Sequence, residues 1–330
     1  MSVRVAVLGC GRIGRMHAEM LARRVGGAEL AGVYDIVTEL ATEMAARLDV
    51  PQAGSVDELY DRGVDAVAIC TSTDTHADLI AGAAALGVAV FCEKPISLSL
   101  DDVDRALAAV DAAGTLLHVG FNRRFDPSHQ AVRDAAARGE LGDLHLVRIT
   151  SRDPAPPPIE YVRRSGGLFC DMTIHDFDMA RYVTGSEVVS VFATGAALVD
   201  AAIGAAGDID TAAIVLRHES GCLTTIDNSR RAVYGYDQRV EAFGSSGVAA
   251  SDNPPVNTTW RRDATGLAGP PIGTFFLERY EQSYLRQWAA FVAAVRDGGP
   301  SPVPGGDGRA PLVVALAAAE SLATGATVAV

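Results

Sequence analysis

Four short segments carry residue types whose spacing could do chemistry. The first, Gly9-Cys10-Gly11-Arg12-Ile13-Gly14, has glycines where a nucleotide-binding turn needs them. Gly9 suits a tight turn, Gly11 a side-chain-free approach of a pyrophosphate, and Gly14 close helix-to-strand packing. Arg12 and Ile13 share the turn and are counted with its cofactor contacts. Asp35 follows Gly14 by 21 residues, where a carboxylate can accept both hydroxyls of an adenosine ribose. It would repel a 2′-phosphate, and Ile36 and Val37 supply no compensating cation, so NAD is expected over NADP. The second segment, CTSTDTHAD from Cys70, places Thr71, Ser72 and Thr73 at a strand end, beside phosphates or a nicotinamide ribose. There His76 is either a cofactor contact or a first-turn helix residue that only satisfies the loop.

The third segment is CEKP, where Glu93 and Lys94 follow the apolar run VAVF and join the expected cofactor contacts. Lys94 could hold a substrate hydroxyl and stabilise its partial alkoxide; the bland alternative is a solvated pair at a strand end. The fourth is GGLFCDMTIHDFDMAR, Gly166 to Arg181. Read as a helix from about Leu168, it puts Asp171, His175 and Asp178 on one stripe, with Asp176 roughly a third of a turn away. Proton transfer, a metal site, a salt-bridged polar face and a structural imidazole all fit that stripe. His175 has the side chain whose ordinary pKa, about 6.5, suits proton exchange near neutrality. Nothing resembles HExxH, so no metal is expected.

The elements that would position these residues alternate. VRVAVL, ELAGVYD, VDAVAICT, VAVFCEKP and LLHVGF read as strands, separated by helical stretches capped by such residues as Ser55 and Ser99. That is the pattern of a parallel sheet covered on both faces. After Phe121 the rhythm becomes period-two, in LGDLHLVRITSRD, EVVSVFATGAAL, DTAAIVLRHES, CLTTIDNSRRA and QRVEAFGSSG, so a largely antiparallel sheet is expected. Asp252 to Pro270 reads as a long loop, Leu277 to Asp297 as one helix, and PLVVALAAAESLATG as a last helix capped by Gly325. The fold class is α/β: a dinucleotide-binding domain over 1–121, then an α+β domain over 122–330 with a large open, mainly antiparallel sheet. The final helix could pack back on the first domain.

Lys plus Arg number 28 against 41 Asp plus Glu, a formal charge of −13, which argues against a nucleic-acid or anionic-membrane partner. Hydrophobic residues at 48% and charged residues at 21% exclude a disordered chain. The longest uncharged run before Glu93 has 14 residues, short of the roughly 20 that span a bilayer. Five cysteines, odd in number and set in apolar runs, suit buried thiols in a reducing compartment, so a cytoplasmic location is expected.

The motifs GCGRIGRMHAEML, STDTHAD, CEKPIS, GFNRRFD and GGLFCDMTIHDFDMARY together resemble the glucose-fructose oxidoreductase and inositol dehydrogenase superfamily over essentially the whole chain. Ile226 to Gly247 and Phe276 to Tyr284 resemble its bacterial inositol 2-dehydrogenase branch most. The resemblance implies a Rossmann domain, a second domain whose open sheet serves oligomerisation, often as a tetramer, and a substrate cleft between the two. It implies catalytic roles for Lys94, Asp171 and His175, and polyol contacts from Lys94, Asn122, Arg123, Asp153, Asp171, Thr173, His175 and Tyr236. The chain carries Ser151 and Asp153 where some inositol enzymes have His and Asn, and Asp74 where many relatives have Asn. The implied reaction is NAD-dependent oxidation of myo-inositol at the C2 hydroxyl. The alternative is another inositol isomer or a pyranose sugar.

Overall fold

The structure, a computed structural model, describes residues 2–330. It divides into two compact units, Met1–Phe121 with Tyr284–Leu312, and Asn122–Ser283 with Val313–Val330.

The first unit alternates β1 (Val3–Leu8), α1 (Arg12–Arg23), β2 (Ala28–Tyr34), α2 (Thr38–Leu48), α3 (Val56–Asp61), β3 (Ala66–Ile69), α4 (Thr73–Ala85), β4 (Ala89–Cys92), α5 (Leu100–Ala113) and β5 (Leu117–Val119). The strands form one sheet in the order β2-β1-β3-β4-β5, with every pair parallel. β3 and β4 are buried along their whole length, as expected for strands covered on both faces. Ser55 and Ser99 accept the N–H groups of Glu58 and Asp102, closing the first turns of α3 and α5. Trp288, from the returning segment, is fully buried; its ring stacks on Phe91 at 4.4 Å, and Phe291 meets it edge-on.

The second unit contains α6 (Pro127–Ala137), β6 (Leu144–Arg152), α7 (Ile159–Val162), α8 (Ile174–Thr184), β7 (Val188–Ala196), α9 (Ala201–Ala205), β8 (Thr211–His218), β9 (Leu223–Ser229), β10 (Asp237–Gly244) and β11 (Gly247–Ser251). These are followed by β12 (Arg261–Asp263), β13 (Gly266–Ala268) and α10 (Phe276–Arg279). α11 (Glu281–Asp297) and α12 (Gly305–Thr324) then run through the returning segment, and β14 (Val328–Ala329) ends the chain. A seven-stranded sheet runs β11-β10-β6-β9-β8-β7-β14, antiparallel at every pairing except β6 with β9. Its buried face carries Val147, Ile149, Ile214, Leu216, Ile226 and Val240. α8 packs on β6, and α6 on β10 and β11. The other face leaves Phe192, Val215, Phe243 and Val248 exposed.

Three expectations need correction. Asp252 to Pro270 is not all loop: β12 pairs with β13 in a hairpin whose turn is held by Asp263 Oδ1, which accepts from the N–H and hydroxyl of Thr265. The helix expected over Leu277 to Asp297 breaks between α10 and α11 at Tyr280, which is buried with the Arg279 guanidinium 4.7 Å from its ring centroid. The last helix starts at Gly305 rather than at Pro311. There the side-chain-free Gly305 and Gly308 let it lie against Leu107 and Ile96 in the first unit. Its end at Gly325, with φ +67°, is as expected.

Candidate active site

In the first unit the strand order reverses direction at β1, the point where open α/β sheets part their loops and bind ligands. The loop after β1 and the loop after β3 meet there. Gly9 has φ +92°, and a Cβ on it would lie 2.6 Å from the Cys70 carbonyl oxygen. A Cβ on Gly14 would collide with the Gly9 carbonyl oxygen, while a Cβ on Gly11 would meet nothing within 4 Å. The packing therefore dictates Gly9 and Gly14, whereas the bare backbone of Gly11 leaves open space at the N-terminus of α1, as a pyrophosphate requires. Arg12 is exposed and Ile13 half-buried beside it. Asp35 is fixed by two backbone donors: Oδ2 accepts the Cys10 N–H at 2.6 Å, and Oδ1 accepts the Val37 N–H at 2.8 Å. Each oxygen keeps a second acceptor site for a ribose hydroxyl. Ile36 is 87% exposed, so the neighbourhood offers apolar surface where a 2′-phosphate would need a cation. These residues fit an adenine dinucleotide with an unphosphorylated ribose.

Thr71, Ser72 and Thr73 form the entry to α4, and the Ser72 side chain makes no capping hydrogen bond to that helix. Thr71 and Thr75 share a hydroxyl–hydroxyl bond of 2.7 Å. His76 is buried: its Nδ1 lies 2.8 Å from the Pro95 carbonyl oxygen and its Nε2 lies 3.2 Å from that of Thr71. Burial lowers its proton affinity, and a neutral ring donates one N–H, which the shorter contact accommodates. It thus braces the Lys94-Pro95 segment against the loop after β3. Glu93 is similarly committed: Oε1 lies 2.8 Å from His17 Nε2, and Oε2 accepts the Lys94 N–H at 3.3 Å. Because the Trp288 indole donates to His17 Nδ1 at 2.9 Å, the imidazole carries its proton on Nε2 and donates it to Glu93. Lys94 is half-buried at this strand end.

In the second unit the segment read as continuous helix is a π-helical turn, Phe169–Thr173, running into α8. The wider turn is closed by the Thr173 hydroxyl, which reaches back five residues to the Leu168 carbonyl at 3.3 Å. Asp171 lies on the π turn and is half-buried: Oδ1 accepts the Tyr161 hydroxyl at 2.7 Å and Oδ2 accepts Arg230 Nη1 at 3.1 Å. His175 lies in the first turn of α8, half-buried. Asp178, expected on the same stripe, is bound instead by the Arg124 guanidinium.

Behind them lies a buried polar network. Arg123 Nη1 donates to Asp176 Oδ1 at 2.7 Å and to the Ser151 hydroxyl at 2.9 Å. Asn228 donates to Asp176 Oδ2 at 2.8 Å and accepts the Thr173 hydroxyl at 2.6 Å. Burial raises the Asp176 carboxyl, a rise that Arg123 opposes. Arg123 and Thr173 are therefore engaged inside the unit. Asn122 is also buried, and its Nδ2 has no hydrogen-bond partner among the described residues; the same holds for the Tyr280 hydroxyl. Burial pushes the Tyr236 hydroxyl well up, so it stays a neutral donor, and its ring meets Tyr280 edge-on at 6.0 Å. Burial first, then the charge of Asp171, pushes Asp153 up to about 6.

His17, Trp288, Tyr161, Arg230 and Asn228 were not picked out as site residues from the sequence. His17, Asn228 and Arg230 stood inside quoted motifs and Trp288 in an expected helix, but none was singled out for the site there, and Tyr161 lay in no quoted segment. Among the described residues no cluster of His, Cys, Asp and Glu is arranged to hold a metal ion, and no helix is long and apolar enough to cross a membrane.

Residues 3–121 match the oxidoreductase family with an NAD-binding Rossmann fold, and residues 129–250 match the GFO/IDH/MocA C-terminal domain. The chain is 49% identical to a myo-inositol 2-dehydrogenase of Thermotoga maritima, across 97% of this chain and 96% of that protein. A myo-inositol dehydrogenase from Corynebacterium glutamicum superposes with a TM-score of 0.95 at 40% identity, covering 100% of this chain and 99% of that one. A scyllo-inositol dehydrogenase from Lactobacillus casei, solved with NAD(H) and scyllo-inositol, superposes with a TM-score of 0.93 at 28% identity, again covering 100% and 99%. The chain belongs to the GFO/IDH/MocA oxidoreductase family, with an NAD-binding Rossmann domain followed by that family's C-terminal domain.

Proposed function

We propose that the protein oxidises myo-inositol at its axial C2 hydroxyl to the 2-keto inositol, with NAD as the oxidant. The likeness to a myo-inositol 2-dehydrogenase over nearly the full length carries this reading, and the chain has Lys94, Asp171 and His175 to serve the reaction. Bound NAD would accept the hydride from the substrate carbon at nicotinamide C4. Lys94 would hold the substrate oxygen and stabilise its partial negative charge, and His175 would take the hydroxyl proton with Asp171 supporting the imidazolium. The polar groups of the second unit favour an uncharged polyhydroxy ring. Asn122 and Tyr280 offer unpartnered donors, Asp153 and Asp171 offer acceptors, and the buried cation Arg123 is already paired with Asp176. In this reading Arg123 and Thr173 shape the site, while Asn122, Asp153 and Tyr236 meet ring hydroxyls.

A second reading keeps the same reacting residues and changes the ring to scyllo-inositol, another isomer or a pyranose; the likeness to the scyllo-inositol enzyme supports it. Initial rates with NAD against myo-inositol, scyllo-inositol, D-chiro-inositol and glucose separate the two. Scyllo-inositol has no axial hydroxyl and presents a different C–H geometry, so it should react much more slowly than myo-inositol. If scyllo-inositol or glucose gives the higher kcat/KM, the second reading replaces the first. The same proposal assigns 1–121 to the cofactor and 122–330 to the substrate. It also makes the protein a cytoplasmic homotetramer built on the open sheet face of Phe192, Val215 and Phe243. Light scattering on the purified chain gives the oligomeric state directly.

A further inference from the structure

Arg230, just after β9, is 1% exposed yet poorly paired. Nη1 donates to Asp171 Oδ2 at 3.1 Å and Nη2 lies 3.8 Å from Asp208 Oδ2, while Nε and Nη2 have no hydrogen-bond partner among the described residues. The residue is not loose: its own N–H donates to the Asp210 carbonyl at 2.8 Å. Asp208 is fixed by the Leu168 N–H, directly before the π turn that carries Asp171. Burying a guanidinium costs several kcal/mol, and one hydrogen bond with one long ion pair is a poor offset for an arginine that only fills space. The groups around Asp171 show what the charge does. Tyr161 faces it from α7, His175 follows on its own helix, Asp208 approaches from beyond α9, and Asp153 from the end of β6. Asp153 in turn feels Arg123 and Asp176. Three carboxylates thus gather around Arg230.

We propose that Arg230 is a positioning residue for the reaction: its buried positive charge holds the Asp171 carboxylate in place and offsets the negative charge that Asp208 and Asp153 bring beside it. The inference rests on the assignment of Asp171 under the proposed function. Because the guanidinium is held at one corner, its charge matters more than its full set of donors, and lysine should substitute where glutamine does not.

The test is the pH dependence of kcat/KM for myo-inositol, with the full chain and saturating NAD, in the wild type, Arg230→Gln and Arg230→Lys. Loss of a cation among carboxylates should move the acid limb of the Gln variant up by about one pH unit, within the 1 to 3 units that a close opposite charge typically contributes. The Lys variant should stay within about 0.3 units of wild type, and NAD affinity should be unchanged in both. An unmoved acid limb in Arg230→Gln overturns the proposal. Thermal unfolding supplies a readout that needs no turnover. Arg230→Gln should lose more Tm at pH 8 than at pH 5, and adding Asp171→Asn should remove most of that difference. Equal losses at both pH values also overturn the proposal. A wild type that binds NAD but oxidises none of the four polyols refutes the functional reading instead, and the unfolding measurements still decide the role of Arg230.

Discussion

Two alanine substitutions in the glycine turn separate packing from ligand space. At Gly14 a Cβ would overlap the Gly9 carbonyl oxygen, sit 2.8 Å from the Gly9 carbonyl carbon and 3.3 Å from the Cys70 Cβ. The first two are backbone atoms, which cannot swing aside as the tip of a side chain can. Overpacking of this kind costs about 1–3 kcal/mol, and contact with backbone belongs at the upper end. Alanine in place of glycine inside a helix returns about 1 kcal/mol. Gly14→Ala should therefore lose about 1–2 kcal/mol, which lowers Tm by roughly 2–8 °C for a chain of this size. At Gly11 the backbone, φ −68° and ψ −169°, is open to any residue, and nothing lies within 4 Å of the added carbon. There alanine is a poorer helix cap than glycine but lowers the entropy of the unfolded chain, and both effects are below about 1 kcal/mol with opposite signs. Gly11→Ala should keep Tm within about 2 °C. The methyl group would nevertheless occupy the space assigned to the pyrophosphate and weaken NAD at least about tenfold, or 1.4 kcal/mol. Differential scanning fluorimetry without cofactor and calorimetric titration with NAD measure the two quantities. A Gly11→Ala variant that binds NAD within twofold of wild type would refute the reasoning, as would one that loses as much Tm as Gly14→Ala.

Asp35→Ser removes the carboxylate without adding a cation, so the ratio of kcat/KM with NAD to that with NADP should fall without inverting; an unchanged ratio would detach Asp35 from cofactor choice. Lys94→Met and His175→Ala should each lower kcat/KM for inositol by about 10²-fold to 10⁴-fold while the Kd for NAD stays within a few-fold. Near-normal turnover of His175→Ala at pH 7 would make the imidazole structural. Asp153, raised to about 6 by burial and Asp171, keeps a proton in the folded chain that the unfolded chain releases near pH 4, so stability falls as pH rises between those values. Asp153→Asn should accordingly add more stability at pH 7.5 than at pH 4, by up to about 3 kcal/mol for a shift near two units, read as a larger rise in Tm; an equal effect at both would contradict it. Burial holds His129 down to about 3, and the unfolded ring takes up a proton near pH 6.5, so stability drains away as pH falls below that value. His129→Gln should flatten the acid side of the Tm–pH curve, and a curve as steep as wild type would point to other groups.

The first unit was largely legible because its determinants are local. Period and burial agree in β1, β3 and β4, serines cap α3 and α5 where the sequence put them, and Gly9, Gly14 and Asp35 lie within one strand-turn-helix-strand passage. The return of Tyr284–Leu312 to that unit was not legible in the same way. Its anchor is Trp288 against Phe91 and His17, contacts across some two hundred and more positions that no helical stripe specifies, since the stripe names a buried face but not what buries it. The hairpin in the expected loop was missed for a different reason: its strands are three residues each and fully exposed, too short for a period to show.

Around Lys94, Asp171 and His175, spacing singled out the groups and left their partners open. The stripe through Asp171, His175 and Asp178 assumed 3.6 residues per turn, and the π turn changes that count at Asp171 itself. Asp176, which the stripe set aside, proves to be the carboxylate paired with Arg123, and Asp178 is claimed by Arg124, so adjacent arginines on one 3₁₀ turn sort two acids of one helix. Asp178 is held on both oxygens by its arginine, whereas Asp176 and Asp171 each give one oxygen to an arginine and the other to a neutral donor, Asn228 for Asp176 and the Tyr161 hydroxyl for Asp171. Glu93 behind Lys94 shows the same division of labour, with the acid bound to His17 and the adjacent lysine carried on the backbone that this contact fixes. Ion pairs buried this deeply contribute little net stability compared with apolar packing of the same volume. In the proposed reaction their use would be orientation: each would fix a neighbouring side chain before any ligand arrives, which lowers the ordering cost left to that reaction.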